Sequence, residues 1–422
     1  MIIVETKQEQ QDFLNEFNTR PSIVIPIFGD IVKHPLNSHL SFVYIRVEDQ
    51  SYIVSSTHTD CLSTDIDLSQ STQPKWVWDK KSVLQTTLNL QNTHDIQTHY
   101  FFGTNHLYSN EYNEQPFIID YIRKGIQDNL GDNTPIMKWG EYLDTLFQNL
   151  PKIPNTDKNW VNEDLIPILS DLEKSPIRVV TQNFLDRWPS SQKHLYNNEF
   201  VYTQYNPYTT TSRPSNRHGG INFSALNKDD GTRDIFIPRE DHLFLQFDYD
   251  AYHVRIIGKL IGYDLPKTSV HQWLGDQYGM DYNDSKGRTF RILYGGVSDE
   301  DRQIPFFQQV DDFIQSLWKG VQTQGYVKTG KGRKIQLQWI ENPTPQKIFN
   351  YLLQGTETEF NIEVIKKLKQ QNLGLPLLYT YDSFLFEYGK GEGTERAKNI
   401  KSVLESFGFP VKASWGNTYG KV

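Results

Sequence analysis

The chain has 422 residues and a mass of 49.3 kDa, which at roughly 150 residues per domain gives two or three domains and excludes one small module. Hydrophobic residues are 37% of it, with 24 Phe, 23 Tyr and 9 Trp for the core; no apolar run approaches the ~20 residues of a membrane helix, Met1-Ile2-Ile3-Val4-Glu5 is no signal peptide, and the lone Cys61 excludes an internal disulfide or a cysteine-rich zinc site, so an intracellular, cytoplasmic protein without a membrane partner is expected. The net charge of −8 is uneven: residues 1–150 hold 10 basic and 19 acidic groups and the remainder 33 and 32, which marks a boundary and neither requires nor excludes a nucleic-acid partner.

Residues 1–110 read as strands between polar loops, with Ser22–Phe28, Ser41–Val47 and Tyr52–Ser55 rich in β-formers and a helix near Lys80–Leu90. A small α/β unit is expected there. Residues 111–200 read as helical, for example Phe117–Gln127 and Lys138–Leu150, with a break at Pro151/Pro154 and Asp157–Asn159. Beyond 200, Thr/Tyr/Asn-rich extended chain gives way to strands alternating with long helices, and no repeat of fixed period is present.

Two hydrophobic runs carry carboxylates. Leu243–Asp250 reads as a strand ending in Asp248-Tyr249-Asp250 before a helix at Tyr252–Gly262, and Leu375–Phe386 places Asp382 inside an apolar β pattern. A buried carboxylate costs several kcal/mol unless paired or metal-bound, so Asp382 needs a partner. Taken singly, each acid reads as a cap or an edge-strand residue. On adjacent strands the two are what a pair of divalent metals about 3.5–4 Å apart requires for in-line phosphoryl displacement, and Mg²⁺ suits a site of few carboxylates and phosphate oxygens. Between them, Asn283, Asp284 or Ser285 begins a helix that Gly295-Gly296 ends, and spacing of four puts Lys286, Phe290 and Tyr294 on one stripe. A cation, a ring and a phenol in a row match triphosphate, nucleobase and sugar; the plain alternative is a lysine snorkelling over two core aromatics.

At this point the residues resemble the family A DNA polymerases, the DNA polymerase I type, over about 200–422. Thr211-Ser212-Arg213-Pro214-Ser215 with Ile221-Asn222-Phe223 is similar to the family's TGRLSS…LQNIP segment, and Arg233–Pro238 to its R-x-x-F-I-x stretch. Asp248-Tyr249-Asp250-Ala251-Tyr252-His253-Val254-Arg255 resembles motif A, DYSQIELR. Lys286-x₃-Phe290-x₃-Tyr294-Gly295 resembles motif B, with Ser269-Val270-His271 at the D-x-H before it. Gly325-Tyr326-Val327-x-Thr329-x₃-Arg333, Gln354-Gly355-Thr356 and Tyr381-Asp382-Ser383 resemble GYV-x-T-x₃-R, QGTAAD and the HDE of motif C. Seven matches in family order are specific where one is not.

The resemblance implies an α+β right-hand polymerase with palm, fingers and a reduced thumb, preceded by an α/β exonuclease-like (RNase H-like) domain: 1–110 degenerate exonuclease-like, 111–200 thumb and connector, 201–422 palm and fingers, the fingers near 263–320. It implies Asp248, Asp382 and the Tyr249 carbonyl as ligands of two Mg²⁺ ions, with Mn²⁺ as a substitute. Lys286 and His271 are implied triphosphate ligands, Phe290 stacks near base and sugar, Tyr294 closes the pocket, and Arg213, Asn222, Arg233 and Gln354 contact primer-template DNA. The partners so implied are DNA and dNTPs, with replisome helper proteins, around a monomer; the short spacings, 38 residues from 248 to 286 and 96 from 286 to 382, point to a compact, low-processivity enzyme of phage or viral type.

Departures from the pattern carry consequences. His253 replaces the motif A Glu that blocks a ribose 2′ position, which predicts weaker ribonucleotide rejection, although an imidazole is bulky and able to bond Tyr294. Motif C has Tyr381 and Ser383 in place of His and Glu, and Tyr282 replaces a phosphate-binding Arg, with Arg288 and Arg291 on other helix faces. The strand Ser22–Phe28 lacks the exonuclease D-x-E, and Asp30, Asp79 and Asp95 are scattered, so proofreading is not expected. The losses also define an alternative: a catalytically silent nucleic-acid-binding replisome scaffold.

Overall fold

The computed structural model describes residues 1–29, 36, 39–104, 132, 135–148, 160–188, 196–216 and 221–422, outside which the expected helix Phe117–Gln127 lies. The described chain forms two compact units, Met1–Pro176 with Phe184–Thr203, and Ile177–Asn183 with Gln204–Val422, and is a mixed α+β protein. Among the described residues no helix is long and apolar enough to cross a membrane.

In the first unit, strands β1 (Ile2–Ile3), β2 (Ser22–Phe28), β3 (Leu40–Val47), β4 (Gln50–Ser55), β5 (Lys75–Val77) and β6 (Thr93–Asp95) form one sheet in the order β1-β4-β3-β2-β5-β6. β2, β3 and β4 make an antiparallel meander, and β5 and β6 continue parallel on the other side of β2. Alternation along β3 divides the core. Phe42 and Tyr44 pack with Trp78 and with Trp139 of helix α4 (Ile136–Gln148), whereas Val43, Ile45 and Val47 pack with Phe13 and Phe17 of α1 (Lys7–Phe17). Thr6 and Glu9 close a capping box at the start of α1. The helix expected at Lys80–Leu90 is only α2 (Lys80–Val83), capped by the Asp79 carboxylate. It stops early because the Thr86 hydroxyl takes the Val83 carbonyl and Asn89 turns left-handed, φ +48°. Two further helices of this unit are α3 (Ile96–Thr104) and α5 (Ile166–Glu173).

The second unit holds the antiparallel sheet β8-β9-β7-β10, made of β7 (His242–Tyr249), β8 (Leu378–Thr380), β9 (Ser383–Gly389) and β10 (Val411–Gly416). β7 is central, and Phe244, Leu245, Gln246 and Phe247 are buried in succession because both of its faces are covered. Its helices are α6 (Tyr252–Ile261), α7 (Val270–Tyr278), α8 (Tyr282–Gly295), α9 (Pro305–Gln324), α10 (Pro345–Gln370) and α11 (Glu395–Leu404). The long α10 packs against α6, α8, α9 and α11. Helix α8 begins two to four residues earlier than the sequence indicates: Asp281, not Asn283, Asp284 or Ser285, is its cap, accepting the amides of Asn283 and Asp284. Its end at Gly295 and Gly296 is as expected, Gly296 adopting φ +112°.

Candidate active site

Asp248 stands one residue from the end of β7, directly opposite Ser383 of β9, and Asp382 immediately precedes β9. The Tyr249 amide donates to the Asp382 carbonyl at 3.0 Å. Antiparallel pairing therefore carries two acids, 134 positions apart in sequence, to the same end of one sheet. The environment of Asp382 differs from the expected one. The apolar run 375–386 is two strands, and Tyr381-Asp382 is the two-residue turn between them, so Asp382 is exposed on its outer side. Tyr381 adopts φ +62°, a conformation bulky side chains avoid; the Arg213 guanidinium 3.6 Å over its ring and a 2.7 Å bond from Asn361 to its carbonyl hold it there. Protein crowding on the inner side of Asp382, then the charges of Asp248 and Glu357, push its carboxyl up to about 6.

Helix α8 presents its stripe outward. Ser285, Thr289, Ile292 and Leu293 are its buried residues, Lys286 and Tyr294 are exposed and Phe290 is half-buried, so the stripe is not a lysine over core aromatics. The Phe290 and Tyr294 rings lie parallel at 6.0 Å. His271 of α7 is buried against Phe290 and Tyr282, at 5.7 and 5.8 Å between ring centroids. Burial, then Lys286, lowers its imidazole to about 4. The two helices meet closely: the Ser285 hydroxyl donates to the His271 carbonyl, and a Cβ on Gly275 would lie 2.7 Å from the Met280 carbonyl oxygen. At its far end the stripe meets α6, where the Tyr294 hydroxyl and His253 Nδ1 share the hydrogen bond anticipated from sequence.

The structure gathers Arg213, His253, Tyr294 and Asp382 around a residue that the sequence reading passed over. Glu357 of α10 is 1% exposed, its Oε2 2.8 Å from Arg213 Nε and 3.2 Å from His253 Nε2. It lies three residues after Gln354, and that spacing on a helix was the available signal. Gln354 itself accepts from the Thr211 hydroxyl at 3.4 Å. Asn222 holds Ser224, while Arg233 donates to the Leu226 carbonyl and stacks over Tyr419 at 4.7 Å; neither has a described bond to the two acids. Arg288 pairs with Asp301 and Glu300, away from the stripe. Also unanticipated is Lys412 of β10, in register with Asp248 and 2.5 Å from Asp250, which Arg255 pairs from the other side.

Among the described residues no cluster of three or more His, Cys, Asp and Glu side chains forms a metal cage. Mg²⁺ takes a different donor set, a few carboxylates completed by carbonyl and substrate oxygens. Asp248 and Asp382 fit it: they stand at the same end of the sheet, and a shared cation would relieve the burial and the repulsion from Asp248 that raise Asp382.

No family model matches the chain, and no curated protein matches it. Solved structures do match. Over 100% of both chains, the fold is similar to the POL domain of Pol1 from M. smegmatis, solved in complex with DNA primer-template and dNTP, with a TM-score of 0.69 and 13% identity. At that identity the likeness is one of fold.

Proposed function

We propose that this chain is a template-dependent DNA polymerase of the family A type, extending a primer 3′-hydroxyl with dNTPs. The observation that carries the reading is the meeting of three elements at one sheet end: Asp248 on β7, Asp382 at the β8–β9 turn, and the outward cation–ring–phenol stripe of α8 joined to α6 through Tyr294 and His253. The likeness to a polymerase domain supports it.

In this reading Asp248, Asp382 and the Tyr249 carbonyl would hold two Mg²⁺ ions, or Mn²⁺ in their place, which when bound would supply activation of the 3′-hydroxyl and charge neutralisation of the pyrophosphate. Lys286 and the neutral His271 bind the triphosphate, and Phe290 stacks by the incoming base. Tyr294 and His253 form the wall of the sugar pocket, which discriminates against ribose less strongly than a carboxylate gate. Arg213, Asn222, Arg233 and Gln354 serve the duplex, Gln354 from α10 itself and Arg213 from beside it. The 3′-oxygen forms its bond to the α-phosphorus as the bond to the bridging oxygen of the β-phosphate breaks, and pyrophosphate leaves. In this reading the first unit, with its β1-β4-β3-β2-β5-β6 sheet, is a degenerate exonuclease-like domain that does not hydrolyse DNA.

Primer extension with Mg²⁺ and dNTPs tests this. The wild-type chain is expected to extend, and Asp382→Asn to lose about 10²–10³-fold in rate, the scale of removing one stabiliser of developing charge. Absent extension by the wild-type chain, with retained DNA binding, replaces the reading with the silent scaffold.

A further inference from the structure

We propose that Glu357 is the positioning residue of the sugar pocket, fixing His253 as the Nε2–H tautomer so that its Nδ1 accepts the Tyr294 hydroxyl. The inference rests on the polymerase reading for its consequence, but its geometry stands on the side chains alone. Arg213 Nε, His253 Nε2 and Glu357 Oε2 are buried atoms, and none of them makes an aligned hydrogen bond among the described residues, so what joins them is charge at ion-pair distance. They face one another at 2.8 and 3.2 Å, and Glu357 Oε1 also accepts from Arg213 Nη2 at 3.3 Å.

An ionised carboxylate only accepts, so a hydrogen on Nε2, the ring nitrogen 3.2 Å from it, is favoured over a lone pair there. A neutral imidazole has one N–H, which leaves Nδ1 as a lone pair, and the phenol of Tyr294 is then the donor of their hydrogen bond. The chain thus obtains, from a histidine backed by a carboxylate, the acceptor that a glutamate at position 253 would supply directly. Arg213 completes the unit. It offsets the buried charge of Glu357 and stacks on Tyr381, which ties the pocket wall to the turn bearing Asp382.

The consequence is specificity. With the Tyr294 hydrogen committed to Nδ1 and the Nε2 hydrogen held on the side of Glu357, neither side chain offers a free donor to a 2′-hydroxyl. A ribonucleotide would bring into the pocket a 2′-oxygen whose lone pairs meet no donor from these two side chains, at a cost that a deoxyribonucleotide does not meet.

The isosteric Glu357→Gln variant presents either an oxygen or an amide to Nε2, so it no longer dictates the tautomer. Histidine labelled with ¹⁵N in the full chain, with the His253 signal assigned by its loss in His253→Gln, is expected to show Nε2–H in the wild type and an added Nδ1–H population in Glu357→Gln. In single-nucleotide incorporation, Glu357→Gln is expected to lower the dNTP-over-rNTP preference by about 10-fold, the scale of one unpaired polar group. His253→Glu alone sets two carboxylates together and is expected to impair incorporation, whereas His253→Glu with Glu357→Ala is expected to regain it together with ribose rejection, a non-additive pair. The proposal is overturned if the Glu357→Gln tautomer is unchanged, or if the tautomer shifts and the sugar preference does not. A wild-type chain that shows the inferred tautomer yet incorporates nothing sinks the polymerase reading and leaves the relay standing.

Discussion

His271 illustrates how one buried side chain acquires a charge state suited to its neighbours. The charged groups that face it are Lys286, Asp250, Lys412 and Arg255, and burial leads them in holding the imidazole down to about 4, with only Asp250 opposing. At neutral pH it is therefore uncharged, and beside a triphosphate it would act as an N–H donor while Lys286 supplies the cation. The same shift has a cost at low pH. Because the folded value lies below the ordinary ~6.5, the native state binds fewer protons than the unfolded chain between about 4 and 6.5. The stability linked to His271 is thus fully present above that window and lost as pH falls through it, on the order of 3 kcal/mol in all. The melting temperature of the wild type is expected to drop between pH 6.5 and 4.5, and to drop several degrees less in His271→Gln. Equal slopes for the two proteins by scanning calorimetry would contradict this assignment.

The close crossing of α7 and α8 decides which side of α8 faces outward. Ser285 and Thr289 are small enough to lie against α7, the Ser285 hydroxyl bonding the His271 carbonyl, and this turns Lys286, Phe290 and Tyr294 to the open face. Gly275 permits the approach, since a Cβ there would stand 2.7 Å from the Met280 carbonyl oxygen and 3.3 Å from Ser285 Cβ. Gly275→Ala is expected to destabilise the protein by about 1–3 kcal/mol through overpacking. On the polymerase reading, displacement of His271 from Lys286 is also expected to weaken dNTP binding measured by titration calorimetry; unchanged stability and affinity would show that the crossing has slack. Spacing alone made the stripe visible, because residues four apart share a helix face whatever packs behind them. It did not tell inside from outside, since Ser and Thr face inward here for reasons of size. The turn at Tyr381-Asp382 was illegible for a related reason: tyrosine carries no local turn signal, and its left-handed backbone is held by Arg213 and Asn361 from distant parts of the chain. Glu357 likewise became meaningful only when α10 brought it to His253. The two acids were legible as carboxylates on apolar runs, and the β7–β9 register brings them to one sheet end.

On the scale of the whole molecule, the sequence expectation of no proofreading falls on the first unit and on three acids, of which Asp79 and Asp95 are described and Asp30 lies outside the described residues. β2, the strand from which the meander and the parallel pair both grow, reads Ser-Ile-Val-Ile-Pro-Ile-Phe and bears no carboxylate. Asp79 caps α2. Asp95, at the end of β6, is 2% exposed and accepts the backbone amides of Lys80 and Thr98 at 2.6 and 2.5 Å. Burial, then the charge of Asp79, pushes its carboxyl up to about 7. A metal ligand for hydrolysis needs an ionised, open carboxylate with at least one companion, and Asp95 is enclosed and already bonded through both oxygens. A 5′-labelled primer with a mispaired 3′ end, incubated with this chain and Mg²⁺ or Mn²⁺ without dNTPs, is therefore expected to stay full length. Shortened products that vanish in Asp95→Asn would overturn the expectation and restore a hydrolytic role to the unit. Intact primer under conditions where dNTPs are incorporated would instead mean that errors made at Asp248 and Asp382 leave the chain uncorrected, so that accuracy depends on the pocket built by His253, Tyr294 and Glu357.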